Sequence, residues 1–264
     1  MNATEVTEVE DRGPAAYLAE FLGTLVLVFF ITAVVSLYVS PATAQNPNPF
    51  IDFSVIGLVH AFLLFGLIQT LGLISGAHFN PAVTLGFVVT RRIEPRLAAT
   101  YWFAQLIGAV LAAFMLTWLL PQTQVDAVNL GAPAVGGGIG AGSAVVIEGI
   151  LTFFLVWVVF ATAADPRGTF ASIAGLAIGL TITLDIYIGA KYTGAAMNPA
   201  RAFGPDLVQN YWSDAWVWWV GPLAGGALAA LLYEYLYLRP VSPEPVGPPE
   251  TGLEEPRPGD AAAM

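Results

Sequence analysis

Long apolar runs alternate along this chain with short polar or proline-rich breaks. Six of the runs reach the ~20 residues that a helix needs to cross a bilayer: 15–39, 51–74, 97–120, 143–164, 170–190 and 215–238. Two further apolar stretches, 81–90 and 199–208, are too short to span and too apolar to be ordinary loops. Each begins directly after an asparagine, at Asn80-Pro81 and Asn198-Pro199. Asparagine is a good N-cap, and proline suits the first helical position, where its missing N–H costs nothing. The pattern therefore predicts an all-α membrane protein with six transmembrane helices and two re-entrant half-helices. The N-termini of the half-helices meet near the midplane. Irregular backbone at that depth survives only where protein or water surrounds it, so each approach segment is expected to line a channel.

The chain also repeats itself. SGAHFNPAVT at 75–84 returns as TGAAMNPARA at 193–202, with the two asparagines 118 residues apart. Glu20 and Thr24 open the first span as Glu148 and Thr152 open the fourth, each pair four residues apart and so on one helix face. Three spans per half is an odd number, so the second half enters the membrane from the opposite side. That is an inverted 3+3 repeat, an arrangement that builds a central site from two facing elements. The expected organisation is a disordered acidic tail at 1–14, a channel domain at 15–238 and a disordered Pro/Glu-rich tail at 239–264. The repeats within the domain run from about 15 to 120 and from 143 to 238.

Composition agrees. The chain is 56% hydrophobic and 11% charged, where a soluble domain carries about 25% charged residues. The net charge of −10 resides mainly in the ends: Glu5, Glu8, Glu10 and Asp11 in the first, and Glu244, Glu250, Glu254, Glu255 and Asp260 in the last. No basic patch supports nucleic-acid binding. With no cysteine, disulfides, thiolate metal sites and thiol nucleophiles are excluded. The acidic start running into a full span reads as no removable signal peptide.

Arg12, Arg91, Arg92, Arg96, Arg167, Arg239 and Arg257 flank alternate connections, while 41–50 and 121–142 contain no Lys or Arg. The positive-inside rule then puts both termini in the cytoplasm. A single lysine against eight arginines suggests a GC-rich microbial genome, and hence the plasma membrane of a microbe.

Six spans in inverted halves, a span-opening glutamate in each half and two Asn-Pro-Ala triplets, the second continuing to Arg201, resemble the major intrinsic protein family. That family comprises the aquaporins and aquaglyceroporins. The resemblance covers roughly 15–238 and implies a passive channel.

The physics of the site stands beside the resemblance. Each half-helix N-terminus presents about +0.5 of a charge, and the side chains of Asn80 and Asn198 can donate into the pore. Pro81, Ala82, Pro199 and Ala200 complete the triplets. A water accepting from both asparagines turns its hydrogens outward and breaks a proton wire. Arg201, a charge inside the membrane, is expected to be functional.

By resemblance Arg201 belongs to a narrow filter near the outer mouth. Family spacing from the triplets adds His60, Ile186 and Ala195, a set resembling the plant tonoplast branch, which passes water together with ammonia or hydrogen peroxide. The resemblance makes Glu20 and Glu148 structural supports that accept from backbone N–H groups of the approach strands. His78 is expected to brace the first of those strands. Ala202, in place of the aspartate typical of the glycerol branch, and Trp218-Trp219 resemble the water branch.

Asp185 and Lys191 match no family position and are expected at the outer mouth. Gly131, Gly136, Gly137, Gly138, Gly140 and Gly142 read as a flexible outer connection, with no strand and helix to make them a phosphate loop. The expected partners are water and small neutral solutes, the lipid bilayer and, by resemblance, three further copies in a homotetramer. No cofactor, metal or enzymatic activity is expected. The competing readings are a small-polyol facilitator, a coupled secondary transporter and a membrane scaffold.

Overall fold

A computed structural model describes residues 13–40, 50–167 and 171–241. The tails expected to be disordered lie outside these residues from 1 to 12 and from 242 onward. The chain forms α1 (Pro14–Tyr38), α2 (Phe53–Ser75), α3 (Pro81–Val89), α4 (Pro95–Leu119), α5 (Gln122–Ala127), α6 (Ala141–Val159), α7 (Ala174–Thr193), α8 (Pro199–Gln209) and α9 (Val217–Tyr233). α6 and α9 continue through π-helical turns at Phe160–Ala164 and Glu234–Leu238. Among the described residues, α1, α2, α4, α6 with its π turn, and α7 are long and apolar enough to cross a membrane. α9 is the sixth long helix, at 17 residues before its π turn.

Local chemistry sets the ends. Proline occupies the first turn of α1, α3, α4 and α8, and the Asp52 carboxylate caps α2 by accepting from the Ser54 and Val55 N–H groups at 3.0 and 3.1 Å. Gly76 and Gly194, both left-handed, terminate α2 and α7.

Three features depart from the sequence reading. Span five starts at Ala174 because Ala171–Ile173 forms a separate 3-10 turn. The connection from α1 to α2 begins and ends in two-residue strands, Val39–Ser40 and Phe50–Ile51, paired antiparallel. The glycine-bearing connection between α4 and α6 is not a loose tether: it contains α5, a 3-10 turn at Asn129–Gly131, and a Gly136 N–H that donates to the Tyr192 carbonyl at 2.9 Å.

The packing obeys the inverted repeat. α1 lies on α4 as α6 lies on α9, α1 on α2 as α6 on α7, and α4 on α8 as α9 on α3, while α2 and α7 cross between the halves. Small residues let the backbones approach, the usual solution where lipid gives no hydrophobic drive between helices. A Cβ on Gly108 would lie 2.5 Å from the Phe21 carbonyl, and one on Gly179 2.5 Å from that of Ala61. At Gly225 it would collide with the carbonyl of Gly149. The outward faces keep large apolar side chains such as Phe62, Phe103, Trp118 and Ile188 exposed, as lipid-facing helices do.

At one end, buried Glu234 accepts from Arg92 Nε at 2.7 Å, tying the turn after α3 to the end of α9. Nearby, the Arg167 guanidinium holds the Asp165 carboxyl down to about 2.

Because Gly225 has no room for a methyl group, Gly225→Ala should lower stability by about 1–3 kcal/mol, the usual cost of overpacking. Gly142→Ala, at a position with nothing within 4 Å, should leave the thermal midpoint in detergent unchanged or higher. Equal midpoints for the two variants would show that the α6–α9 crossing does not depend on the glycine.

Candidate pore and selectivity filter

Two irregular segments carry the site, residues 76–80 before α3 and 194–198 before α8. Their backbones match position by position. Gly76, Ala77 and Phe79 have positive φ in the first, and Gly194, Ala195 and Met197 in the second, at the same offsets from Asn80 and Asn198. Left-handed backbone at a non-glycine residue costs on the order of 1–3 kcal/mol, so four such residues need external support.

Two buried glutamates provide it. Glu20 of α1 accepts from the His78 N–H at 2.9 Å and the Phe79 N–H at 2.7 Å. Glu148 of α6 accepts from the Ala196 N–H at 2.9 Å and the Met197 N–H at 2.7 Å. Glu20 also takes hydrogen bonds from Ser75 Oγ at 2.7 Å and Gln105 Nε2 at 2.8 Å. The strand starts are pinned too: Tyr101 donates to the Ser75 carbonyl at 2.8 Å and Trp218 Nε1 to the Thr193 carbonyl at 2.9 Å. Ser75 and Thr193 each stand five residues before an asparagine, a correspondence visible in the repeat, although the sequence reading gave them no role.

The asparagines cap and cross-link at once. Asn80 Oδ1 accepts from the Ala82 N–H at 2.8 Å, and Asn198 Oδ1 from the Ala200 and Arg201 N–H groups at 3.0 and 3.2 Å. That assignment leaves each Nδ2 as the donor. Asn80 Nδ2 donates to the Met197 carbonyl at 2.8 Å and Asn198 Nδ2 to the Phe79 carbonyl at 2.9 Å. One N–H of each amide thus joins the half-helices, and the second remains for the pore. Pro81, Ala82, Pro199 and Ala200 are buried behind them as the first turns of α3 and α8.

A cavity runs past these groups, lined by His60, His78, Asn80, Ala195, Asn198 and Arg201 among others. Its volume is about 70 Å³, large enough to hold water. Its remaining wall is mainly aliphatic, with Leu64, Val83 and Ile182 among the lining residues, and Arg201 is its one formally charged side chain among the described residues.

Arg201 Nη1 donates to the Gly131 carbonyl at 3.1 Å, and no carboxylate lies within 4 Å of the guanidinium among the described residues. His60 Nδ1 lies 2.7 Å from the Ile56 carbonyl, which only accepts. Nδ1 therefore carries a proton, and in the neutral tautomer Nε2 is an acceptor.

His78 Nδ1 meets Thr84 Oγ1 at 3.1 Å, and its ring stacks on Phe87 with centroids 4.6 Å apart. Thr84 in turn donates to the Asn80 carbonyl at 3.1 Å. His78 therefore braces the first half-helix start through its side chain as well as through Glu20.

Three sequence-derived positions stand apart. Ile186 is buried in the core and is not among the lining residues; Ile178 and Ile182, earlier on the same face of α7, line the cavity instead. Asp185 is buried within α7 with its Oδ2 unpartnered, rather than open at the mouth. Lys191 is exposed. The Gly131 carbonyl went unforeseen, because a backbone acceptor leaves no side-chain signature.

The family model described as Major intrinsic protein matches residues 9–233. The chain is 44% identical over 235 residues to "Probable aquaporin TIP3-2" of Arabidopsis thaliana, covering 87% of this chain and 86% of that protein. It is 37% identical over 222 residues to "Aquaporin-4" of Mus musculus, covering 84% and 67% respectively. In fold it matches the X-ray structure of the aquaglyceroporin from Plasmodium falciparum with a TM-score of 0.72 at 23% identity, over 86% of this chain and 98% of that one. With the twinned half-helices, the cross-linked asparagines and these matches together, the chain belongs to the major intrinsic protein family.

Proposed function

We propose that this chain is a passive transmembrane channel for water that excludes protons and ions. The observation that carries the reading is the reciprocal pair of asparagine cross-links beside a narrow cavity. Each amide keeps one N–H for a passing water. The half-helix N-termini behind them supply about +0.5 of a charge each. A water that accepts from both asparagines points its hydrogens toward the two mouths. No hydrogen-bonded chain of one polarity then crosses the midplane, and a proton has no relay. Cations meet the same positive field and Arg201.

His60, Ala195 and Arg201 make the filter, with Ile186 behind it on α7. Arg201 supplies donors and His60 Nε2 an acceptor, a combination suited to water and equally to ammonia or hydrogen peroxide. A coupled transporter would need acids at the midplane, and the cavity wall has none among its described residues. For a glycerol channel, the residue after Arg201 is Ala202, buried away from the cavity.

The chain is an integral, multi-pass membrane protein. Both termini face the cytoplasm in this reading, and the functional unit is a homotetramer with one pore per subunit. Relatives such as "Probable aquaporin TIP3-2" of Arabidopsis thaliana lend no support to the expected microbial plasma membrane.

Stopped-flow light scattering on proteoliposomes tests the reading. Water efflux should be fast, with a low activation energy and no accompanying proton leak. Efflux no faster than from empty vesicles, in well-folded protein, would overturn it. Arg201→Ala removes the guanidinium that narrows the aperture and should raise glycerol permeation roughly tenfold relative to water, equivalent to ~1.4 kcal/mol of lost discrimination. His60→Phe removes the filter's acceptor and should slow the ammonia-driven internal pH change about fivefold, in line with the loss of one hydrogen bond of ~1 kcal/mol. Water efflux should fall less. An unchanged ammonia rate would assign His60 to packing alone.

A further inference from the structure

The outer connection read as flexible is instead built against the filter. Asn129, Leu130 and Gly131 have φ values of 45°, 53° and 70°, three left-handed residues in succession. Only the last is a glycine. The Val128 carbonyl accepts from the Gly131 N–H and the Asn129 carbonyl from the Ala132 N–H, both at 2.9 Å. The Gly131 carbonyl is thereby free to accept from Arg201 Nη1 at 3.1 Å.

Left-handed backbone at a branched residue persists only where the surroundings over-determine it. The surroundings of Leu130 do so. Its side chain is fully buried in a cluster with Ala113, Leu116 and Val125, and its turn touches α1, α4, α5 and α8. The glycine is fixed as well, since a Cβ there would sit 3.2 Å from Val35. Further along, Val135 and Ile139 pack on the cluster that holds Ala196 and Trp218, so the same connection backs the second approach strand.

We propose that Leu130 is a positioning residue of the filter: its buried side chain locks the left-handed turn whose Gly131 carbonyl holds the Arg201 guanidinium in place. Leu130 touches no solute. It acts through one backbone oxygen on Arg201, the one formally charged side chain of the cavity among the described residues. With Leu130 truncated, the turn relaxes and its carbonyl leaves Arg201. The guanidinium then samples more than one rotamer, and the aperture loses its fixed donors. The fold survives, because the approach strands are held independently by Glu20 and Glu148. The inference rests on the water-channel reading and adds to it what sets the filter's geometry.

The experiment compares glycerol with water permeability in proteoliposomes of the full chain. Leu130→Ala should raise the glycerol-to-water ratio about tenfold, equivalent to ~1.4 kcal/mol of lost discrimination. Leu130→Met should restore the wild-type ratio. In an Arg201→Ala background, Leu130→Ala should add little, because both substitutions remove the same constraint. Leu97→Ala, a buried truncation elsewhere in the core, should leave the ratio alone. If the alanine variant fails to reconstitute, Leu130→Val reads the same ratio with a smaller truncation. A ratio unchanged at Leu130, raised equally by Leu97→Ala, or raised additively with Arg201→Ala would overturn the proposal. Wild-type vesicles no more water-permeable than empty ones would remove the channel reading, and this inference with it.

Discussion

Each of two buried carboxylates, Glu20 and Glu148, accepts hydrogen bonds from two consecutive backbone N–H groups, and the architecture at the midplane depends on those four bonds. Without them, the N–H groups of His78, Phe79, Ala196 and Met197 would lose the acceptors that the structure gives them. An orphaned buried donor costs about 1–3 kcal/mol, and the left-handed residues beside these add strain of similar size. A helix would satisfy the same N–H groups at lower cost. It would also withdraw Asn80 and Asn198 from the axis, and the half-helices would no longer meet end to end. The glutamates thus stabilise an otherwise unfavourable backbone that only a pore requires.

That arrangement needs close packing around it. α1 and α6 must bring their glutamates to the approach strands, and α4 and α9 must press on both from behind. Gly108 and Gly225 let those backbones meet at the Phe21 and Gly149 carbonyls, while Gly23 leaves the space that the Phe79 ring occupies. Tyr101 and Trp218 then pin the strand starts from the helices that follow. Each half supports its own strand, and the two strands are joined only at their tips, by the asparagine amides. The joint is short, polar and rigid, which keeps the gap between the half-helices fixed.

The architecture was legible in the sequence because its determinants are residue types at fixed spacing. Apolar runs of membrane length gave the six long helices to within a few residues, and Asn-Pro gave the start of both half-helices. The end of α7 was read less well, since Gly194 prolongs it to Thr193 where the hydropathy had faded, whereas Gly76 ends α2 at Ser75, one residue past the expected end. The site was legible where a side chain acts in its own right, as with Asn80, Asn198 and Arg201. It was opaque where the backbone acts. Nothing in a run of glycines distinguishes a loose connection from a turn that aims a carbonyl. Spacing also placed Ile186 on the correct face of α7 without showing that Ile182 would supply the cavity wall. One helical turn of displacement along the pore axis is invisible to a pattern with a period of 3.6.

The two halves are alike in backbone and unlike in side chains, and the difference has a direction. The first half places His78, Thr84, Phe87 and Gln105 around its half-helix, a connected set that rigidifies one side. The second half has Ala196 in place of His78 and Arg201 in place of Val83, and so carries the charge. A symmetric pore with arginines in both halves would place two buried cations in one cavity, each raising the cost of the other. A pore with none would leave the field of the half-helices as the sole barrier to cations. One arginine, hydrogen-bonded to a carbonyl and with no carboxylate within 4 Å among the described residues, is not neutralised by a direct ion pair. A salt-bridged arginine would have been easier to bury and would have cancelled the field that a cation must meet. In the proposed channel, the choice of a neutral acceptor for Arg201 is therefore part of how the cavity would exclude ions.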